Sequence, residues 1–216
     1  MKVELFEYAL PEDRIAQRPL DDRGASRLLV LDRRTGARTH ARFADLAGFL
    51  PKRSLLVPND SRVMPARLIG TREPSGGRAE VLLLKRTGND LDPFAAQSKT
   101  QLTARWGRWE ALVTAGKAIR PGTVIVFEGA RATVVDEIPG EPGGSWHVDL
   151  DGDGDPVAGL SRIGAMPLPP YIAREPDAAD ADRYQTVYAQ RTGSAAAPTA
   201  GQIGRASCRE RVYVLV

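Results

Sequence analysis

The chain is poor in the side chains that bind transition metals best, with one cysteine, Cys208, and two histidines, His40 and His147, in 216 residues. A disulfide framework or a cysteine-rich zinc site therefore cannot be assembled, and a metal-free protein is expected. No secretory signal is expected either, because Glu4 and Glu7 interrupt the first seven residues where an apolar stretch would begin. No uncharged apolar run approaches the roughly 20 residues needed to span a bilayer. A cytoplasmic monomer is the expectation. Neither a G-x-G-x-x-G after a strand nor a Walker-type loop occurs, which removes the sequence case for a Rossmann cofactor site or an NTPase. No serine sits in a nucleophile elbow and the histidines have no partnering pattern, so conventional hydrolase chemistry finds no support.

What is present is a chain with 42% hydrophobic residues, enough for a real core. The net charge is +3 and the pI about 9.2, a balance that invites a nucleic-acid reading. Most of that excess is local, however. Arg205, Arg209 and Arg211 against Glu210 place two of the three charges after Gln202. The body is nearly neutral, so affinity for RNA must come from clustered arginines. Lysine is scarce, five of 30 basic residues, and GC-rich coding bias explains this as readily as selection for phosphate forks.

Along the chain, Leu10-Pro-Glu-Asp-Arg-Ile-Ala-Gln carries a helix-start signal closed by Arg18-Pro19. Arg27 to Asp32 reads as a buried strand, Thr35-Gly36 as a turn, Thr39 to Phe43 as a second extended piece and Ala44 to Leu50 as a helix. Ser54 to Pro58 reads as another buried strand ending at Asn59-Asp60. This alternation predicts an α/β unit over residues 1–66. From Arg67 the texture changes. Leu82 to Leu84, Trp109 to Val113, Thr123 to Phe127, Ala132 to Ile138 and Trp146 to Leu150 are short β-prone runs between Gly, Pro and Asp turns. They predict an inserted antiparallel β-barrel over residues 67–150. Pro156 to Ile163 and Asp180 to Gln190 read as helices of a returning α/β unit, residues 151–201. The prolines of Met166-Pro-Leu-Pro-Pro-Tyr-Ile172 forbid a helix between them.

Several motifs invite chemistry. The run from Asp149 to Asp155 alternates carboxylates like a calcium loop, but the twelfth position from Asp149 is Leu160 rather than a bidentate Glu, so it reads as a solvated acidic turn. Asn59, Ser61 and Arg62 stand at a strand end, where α/β folds bind ligands; by spacing alone the segment to Leu68 reads more readily as a connection into the barrel with Arg62 and Arg67 solvated. Tyr171 in its proline frame offers a face for stacking or a plain buried ring. Tyr184 and Tyr188, spaced i and i+4, make a helix-face pair of the kind more often found in a core.

Together, Asn59 to Leu68, Gly76 to Leu84, Met166 to Ile172, Tyr184-Gln-Thr-Val-Tyr188 and Ala195-Ala-Ala-Pro-Thr-Ala-Gly201 resemble, in order and spacing, the S-adenosylmethionine:tRNA ribosyltransferase-isomerase family. The resemblance covers Met1 to Gly201. It implies an α/β domain with an inserted antiparallel β-barrel. It also implies an enzyme of queuosine biosynthesis that transfers and isomerises the ribosyl group of S-adenosylmethionine onto 7-aminomethyl-7-deazaguanine at the tRNA wobble position. Epoxyqueuosine in tRNA forms, adenine and methionine are released, and no metal is needed. On this footing Asn59, Ser61, Arg62, Arg67, Tyr171, Tyr184, Gln185, Pro198, Thr199 and Gly201 are expected to bind substrate, with the tyrosines and Gln185 around the adenosyl or base pocket and Arg62 and Arg67 on phosphate or carboxylate. No residue stands out as the catalytic base.

Family members continue after Pro-Thr-Ala-Gly with a Leu-His-Phe segment and a long C-terminal half. Here Gly201 is followed by Gln202-Ile-Gly-Arg-Ala-Ser-Cys-Arg-Glu-Arg-Val212, which resembles a translated sequencing adapter. Residues 202–216 are accordingly expected to be a non-native tail on a truncated, inactive chain.

Overall fold

Strand closure dominates the computed structural model, which describes residues 2–55, 58–87, 104–140 and 144–194. In chain order the strands and helices are β1 (Arg27–Leu31), β2 (Arg38–Arg42), α1 (Leu46–Phe49), β3 (Ser61–Val63), β4 (Arg67–Glu73), β5 (Gly77–Thr87) and β6 (Ala104–Ala115). They continue with β7 (Val124–Phe127), β8 (Ala130–Glu137), β9 (Ser145–Gly152), α2 (Pro156–Ile163), β10 (Gly164–Ala165), α3 (Asp180–Arg183) and β11 (Arg191–Ser194).

The antiparallel order β4-β5-β6-β9-β8-β7 returns to β4 through Thr71–Val126 and its neighbours, so six strands close into a barrel and β10 adds to β4 beyond it. Closure follows from alternation. Ala79, Val81 and Leu83 of β5, Ala130, Ala132 and Val134 of β8, and Trp146, Val148 and Leu150 of β9 all point inward, the two-residue period expected of strands with one buried face. All five β-prone runs of the sequence fall on these strands, with Thr123 one residue before β7 and Ile138 one residue after β8. The strand it did not mark is β4, whose even-numbered Leu68 and Gly70 face inward between exposed or half-buried neighbours.

The period breaks where β6 pairs Arg105 with Asp151 and then Gly107 with Leu150, leaving Trp106 as an extra residue. Such a bulge re-aims one side chain, here the fully buried Trp106. Its indole lies under α2. A Cβ built on Gly159 would stand 2.0 Å from the ring, and one on Gly152 2.5 Å. The glycines are therefore required by close approach. Helix α2 forms as read, with Pro156 at its first turn and the Asp155 side chain accepting from the Ala158 N–H at 2.9 Å. It lowers Leu160 onto the barrel core.

Outside the barrel, β11 pairs parallel with β3, so a small parallel sheet and short helices flank the barrel in an α/β arrangement. Four local expectations need correction. The Leu10–Gln17 helix is a single 3-10 turn at Glu12–Arg14, too short to nucleate alone. Strand β1 is not buried: Leu29 and Leu31 are 58% and 57% exposed, and its partner is β2 in an antiparallel hairpin. Ser54 to Pro58 supplies only a bridge residue at Leu55, itself exposed, with residues 56 and 57 outside the described residues. The helix expected over Asp180–Gln190 stops after one turn at Arg183, so Tyr184 and Tyr188 do not share a helix face.

Candidate functional site

Residues distant in sequence are tied together at the α2 end of the barrel by side chains reaching backbone. Arg23 donates to the carbonyls of Asp182, Arg183 and Gln185 at 3.1, 3.0 and 2.7 Å, satisfying the open C-terminal end of α3. Gln17 accepts from the Ala173 N–H and donates to the Tyr171 carbonyl, while Arg174 donates to the Gln17 carbonyl. Arg174 also grips Asp180 with two bonds of 2.7 and 2.8 Å. The Asp180 side chain is 2% exposed, so this pair is shielded. Its hydrogen bonds to the Asp180 carboxylate hold the Arg174 guanidinium above its ordinary pKa.

Gln185 performs a similar task for β3. Its Oε1 accepts from the Val63 N–H at 2.8 Å and its Nε2 donates to the Val63 carbonyl at 2.9 Å. The amide thus imitates a strand neighbour on the edge opposite β11. That clamp sets the position of the adjacent Arg62.

Between β3, its link to β4, α2, β10 and the segment ending in α3 lies a cavity of about 440 Å³, within the range of small-ligand sites. Its walls are largely apolar, from Val63, Met64, Pro65, Val157, Leu160 and Met166. Polar groups are few: Arg62, Ser161, Asp177, Gln185 and Thr192. Asp177 pairs with Arg18 at 2.8 Å, and Ser161 donates to its own helix at Val157. Among the described residues Arg62 has only the 3.9 Å contact with the exposed Asp182, a pair weak in water.

The ten expected substrate residues separate in space. Arg62 and Gln185 line the cavity, although the Gln185 amide is engaged with Val63. Tyr184, 6% exposed, packs with Val63 and Met166 behind the cavity wall. Asn59 accepts from the Ser61 N–H at 2.9 Å in a turn leading into β3, the usual task of an asparagine at a strand entry. Arg67 lies outside this cavity, bound to Glu80 at 2.9 Å and Glu175 at 3.3 Å, and the Glu80 hydrogen bond raises its pKa. Tyr171 is half-buried and does not line the cavity. Pro198, Thr199 and Gly201 lie outside the described residues. The sequence reading missed Gln17, Arg23, Arg174, Asp177 and Asp180. No local signal marks them, because most of their partners lie more than 150 residues away.

The acidic run is also accounted for. Asp149 takes two bonds from Arg108 and Asp155 caps α2. Among the described residues no group of three or more His, Cys, Asp or Glu side chains is placed to hold a metal, and no helix is long and apolar enough to cross a membrane.

A family model described as "Queuosine biosynthesis protein" matches residues 3–206. The chain belongs to this family. Its relatives include the S-adenosylmethionine:tRNA ribosyltransferase-isomerase of an Anaeromyxobacter strain, 46% identical over 202 residues that make up 93% of this chain and 53% of the relative. The protein of the same name from Nitratidesulfovibrio vulgaris is 48% identical over 210 residues, 95% of this chain and 56% of the relative. A crystal structure of an S-adenosylmethionine tRNA ribosyltransferase from Thermotoga maritima is 28% identical, covering 77% of this chain and 52% of that one, with a TM-score of 0.30. The chain thus spans about half the length of the curated relatives it matches.

Proposed function

We propose that this chain contributes the S-adenosylmethionine-handling part of a tRNA ribosyltransferase-isomerase. In this reading the ribosyl group moves onto 7-aminomethyl-7-deazaguanine at the wobble position, leaving epoxyqueuosine in tRNA and releasing adenine and methionine. Residues 1–66 and 151–201 belong to one α/β unit into which residues 67–150 are inserted. The supporting observation is family membership across residues 3–206.

The cavity suits the reading physically. Apolar walls favour a flat adenine over water, and Tyr184 keeps the wall rigid from behind. Arg62, at the mouth with only a weak partner, is the cation left to meet a carboxylate or phosphate. The reaction further needs a base for the acidified proton beside the sulfonium and stabilisation of the leaving adenine. Among the described residues lining the cavity, Asp177 is the one carboxylate. Its carboxylate is paired with Arg18 at 2.8 Å.

Because the chain spans only about half of its relatives, a second reading is an inactive piece that still binds tRNA. Adenine release from S-adenosylmethionine with precursor-bearing tRNA, compared between this chain and a version extended to the relatives' length, separates the two. Release by the extended form alone supports the second reading for this chain. No release by either form sinks the enzymatic one. Arg62→Gln is expected to lower turnover at least tenfold; unchanged tRNA binding and turnover would remove its assignment.

A further inference from the structure

A second concavity lies at the far end of β4 from the cavity described above. It holds about 610 Å³ and is lined by Arg72 and Ser75 of β4 and its turn, Arg78 and Glu80 of β5, and Thr114 and Lys117 at the end of β6. Arg78 and Lys117 are exposed and Arg72 half-exposed. Among the described residues none of the three cations forms an ion pair. The single carboxylate in the lining is already neutralised, since Glu80 is held by Arg67 at 2.9 Å. Three positive charges therefore converge on one groove without internal compensation, on a body that is nearly neutral.

Among the described residues the apolar side chains in the lining are only Ala79 and Ala115. A protein partner would need aromatic or aliphatic anchors here. Cations set among hydroxyls, such as Ser75 and Thr114, and around exposed backbone at Gly77 and Gly116 suit phosphodiester oxygens instead. We infer that this groove is a docking site for the RNA phosphate backbone, separate from the cavity and unable to read base sequence. It rests on the reading that tRNA is the substrate. Five residues of β4 place Arg72 roughly 17 Å from Arg67 at the cavity end, so a folded RNA reaches both places and a small molecule only one.

The test is tRNA binding by the full 216-residue chain, followed by fluorescence anisotropy across a salt series with unfractionated bacterial tRNA as probe. The triple variant R72Q/R78Q/K117Q is compared with R131Q, an exposed β8 change outside the groove, and circular dichroism checks that each is folded. Lys117→Glu alone serves if the triple variant does not fold. The groove site requires the triple variant to bind at least about tenfold more weakly near 0.1 M salt, with a log–log salt slope shallower by about two, while R131Q keeps the wild-type values. Wild-type binding with an unchanged triple variant overturns the groove and leaves the substrate reading standing. No tRNA binding by the wild-type chain overturns both. Polyglutamate competing as well as unlabelled tRNA overturns the RNA assignment.

Discussion

The barrel and the segments around it reach order by opposite means. In the barrel every strand has two neighbours, and alternate side chains fill a shared interior that Leu160 of α2 caps at one end. Before residue 60, Phe6, Tyr8, Leu29, Leu31 and Leu55 are more than half exposed. What holds those segments is polar: Gln17, Arg23, Arg174 and Gln185 reaching across to distant backbone. Apolar burial is non-directional and tolerant of detail. A clamp made from one guanidinium or one amide depends on that single side chain.

The largest effect is expected at the barrel's end. Trp106→Ala should cost about 3–5 kcal/mol in urea unfolding by emptying the volume beneath α2. Gly159→Ala should be comparably harmful, because its Cβ would enter the indole. If either leaves the barrel transition unmoved, the interior is not the source of its stability. Next, Arg174→Ala strands the buried Asp180 carboxylate and should destabilise the flanking segments by about 3 kcal/mol. Hydrogen exchange should report the loss at residues 171–185 while the barrel amides stay protected. Loss of protection in both regions would break the comparison. Gln185→Ala leaves the Val63 N–H and carbonyl unpaired at a cost of about 1–3 kcal/mol, with exchange rising first at β3.

Smaller effects belong to the exposed side. Leu29→Thr with Leu31→Thr should change thermal stability by no more than about 0.5 kcal/mol; a larger loss would mean that β1 is covered in solution. The smallest concerns the β1–β2 turn, where Thr35 and Arg34 N–H groups hold the Asp32 carboxylate below the usual carboxylate range. A depressed carboxyl stabilises above its unfolded pKa and loses that contribution as pH falls through the lower folded value. The Arg34 and Thr35 amide signals should therefore shift only in acid, and the Asp32→Asn variant should remove that titration.

The barrel was largely legible in the sequence because its information is local: a two-residue period between turn residues names each strand without reference to its partner. Strand β4 escaped notice because its polar neighbours and Gly70 thin the pattern. In the flanking unit the runs at Arg27 and Ser54 looked like buried strands, since composition alone cannot say whether another layer covers them. The candidate site was legible only in part. Arg62 and Gln185 were singled out and do line the cavity, but the amide of Gln185 faces Val63, and nothing near it in sequence indicates that.

The sequence by itself determined the family, the barrel strands and helix α2, because motif order, period and capping are properties of neighbouring residues. Tertiary structure alone decided which polar groups remain available. Arg67 is held by carboxylates from β5 and from a loop more than 100 residues away. Among the described residues Arg62 keeps only a 3.9 Å contact with Asp182, and Lys117 reaches the groove of Arg72 and Arg78 because β6 pairs with β5. Charge compensation depends on distance in space, and a linear chain does not carry that distance.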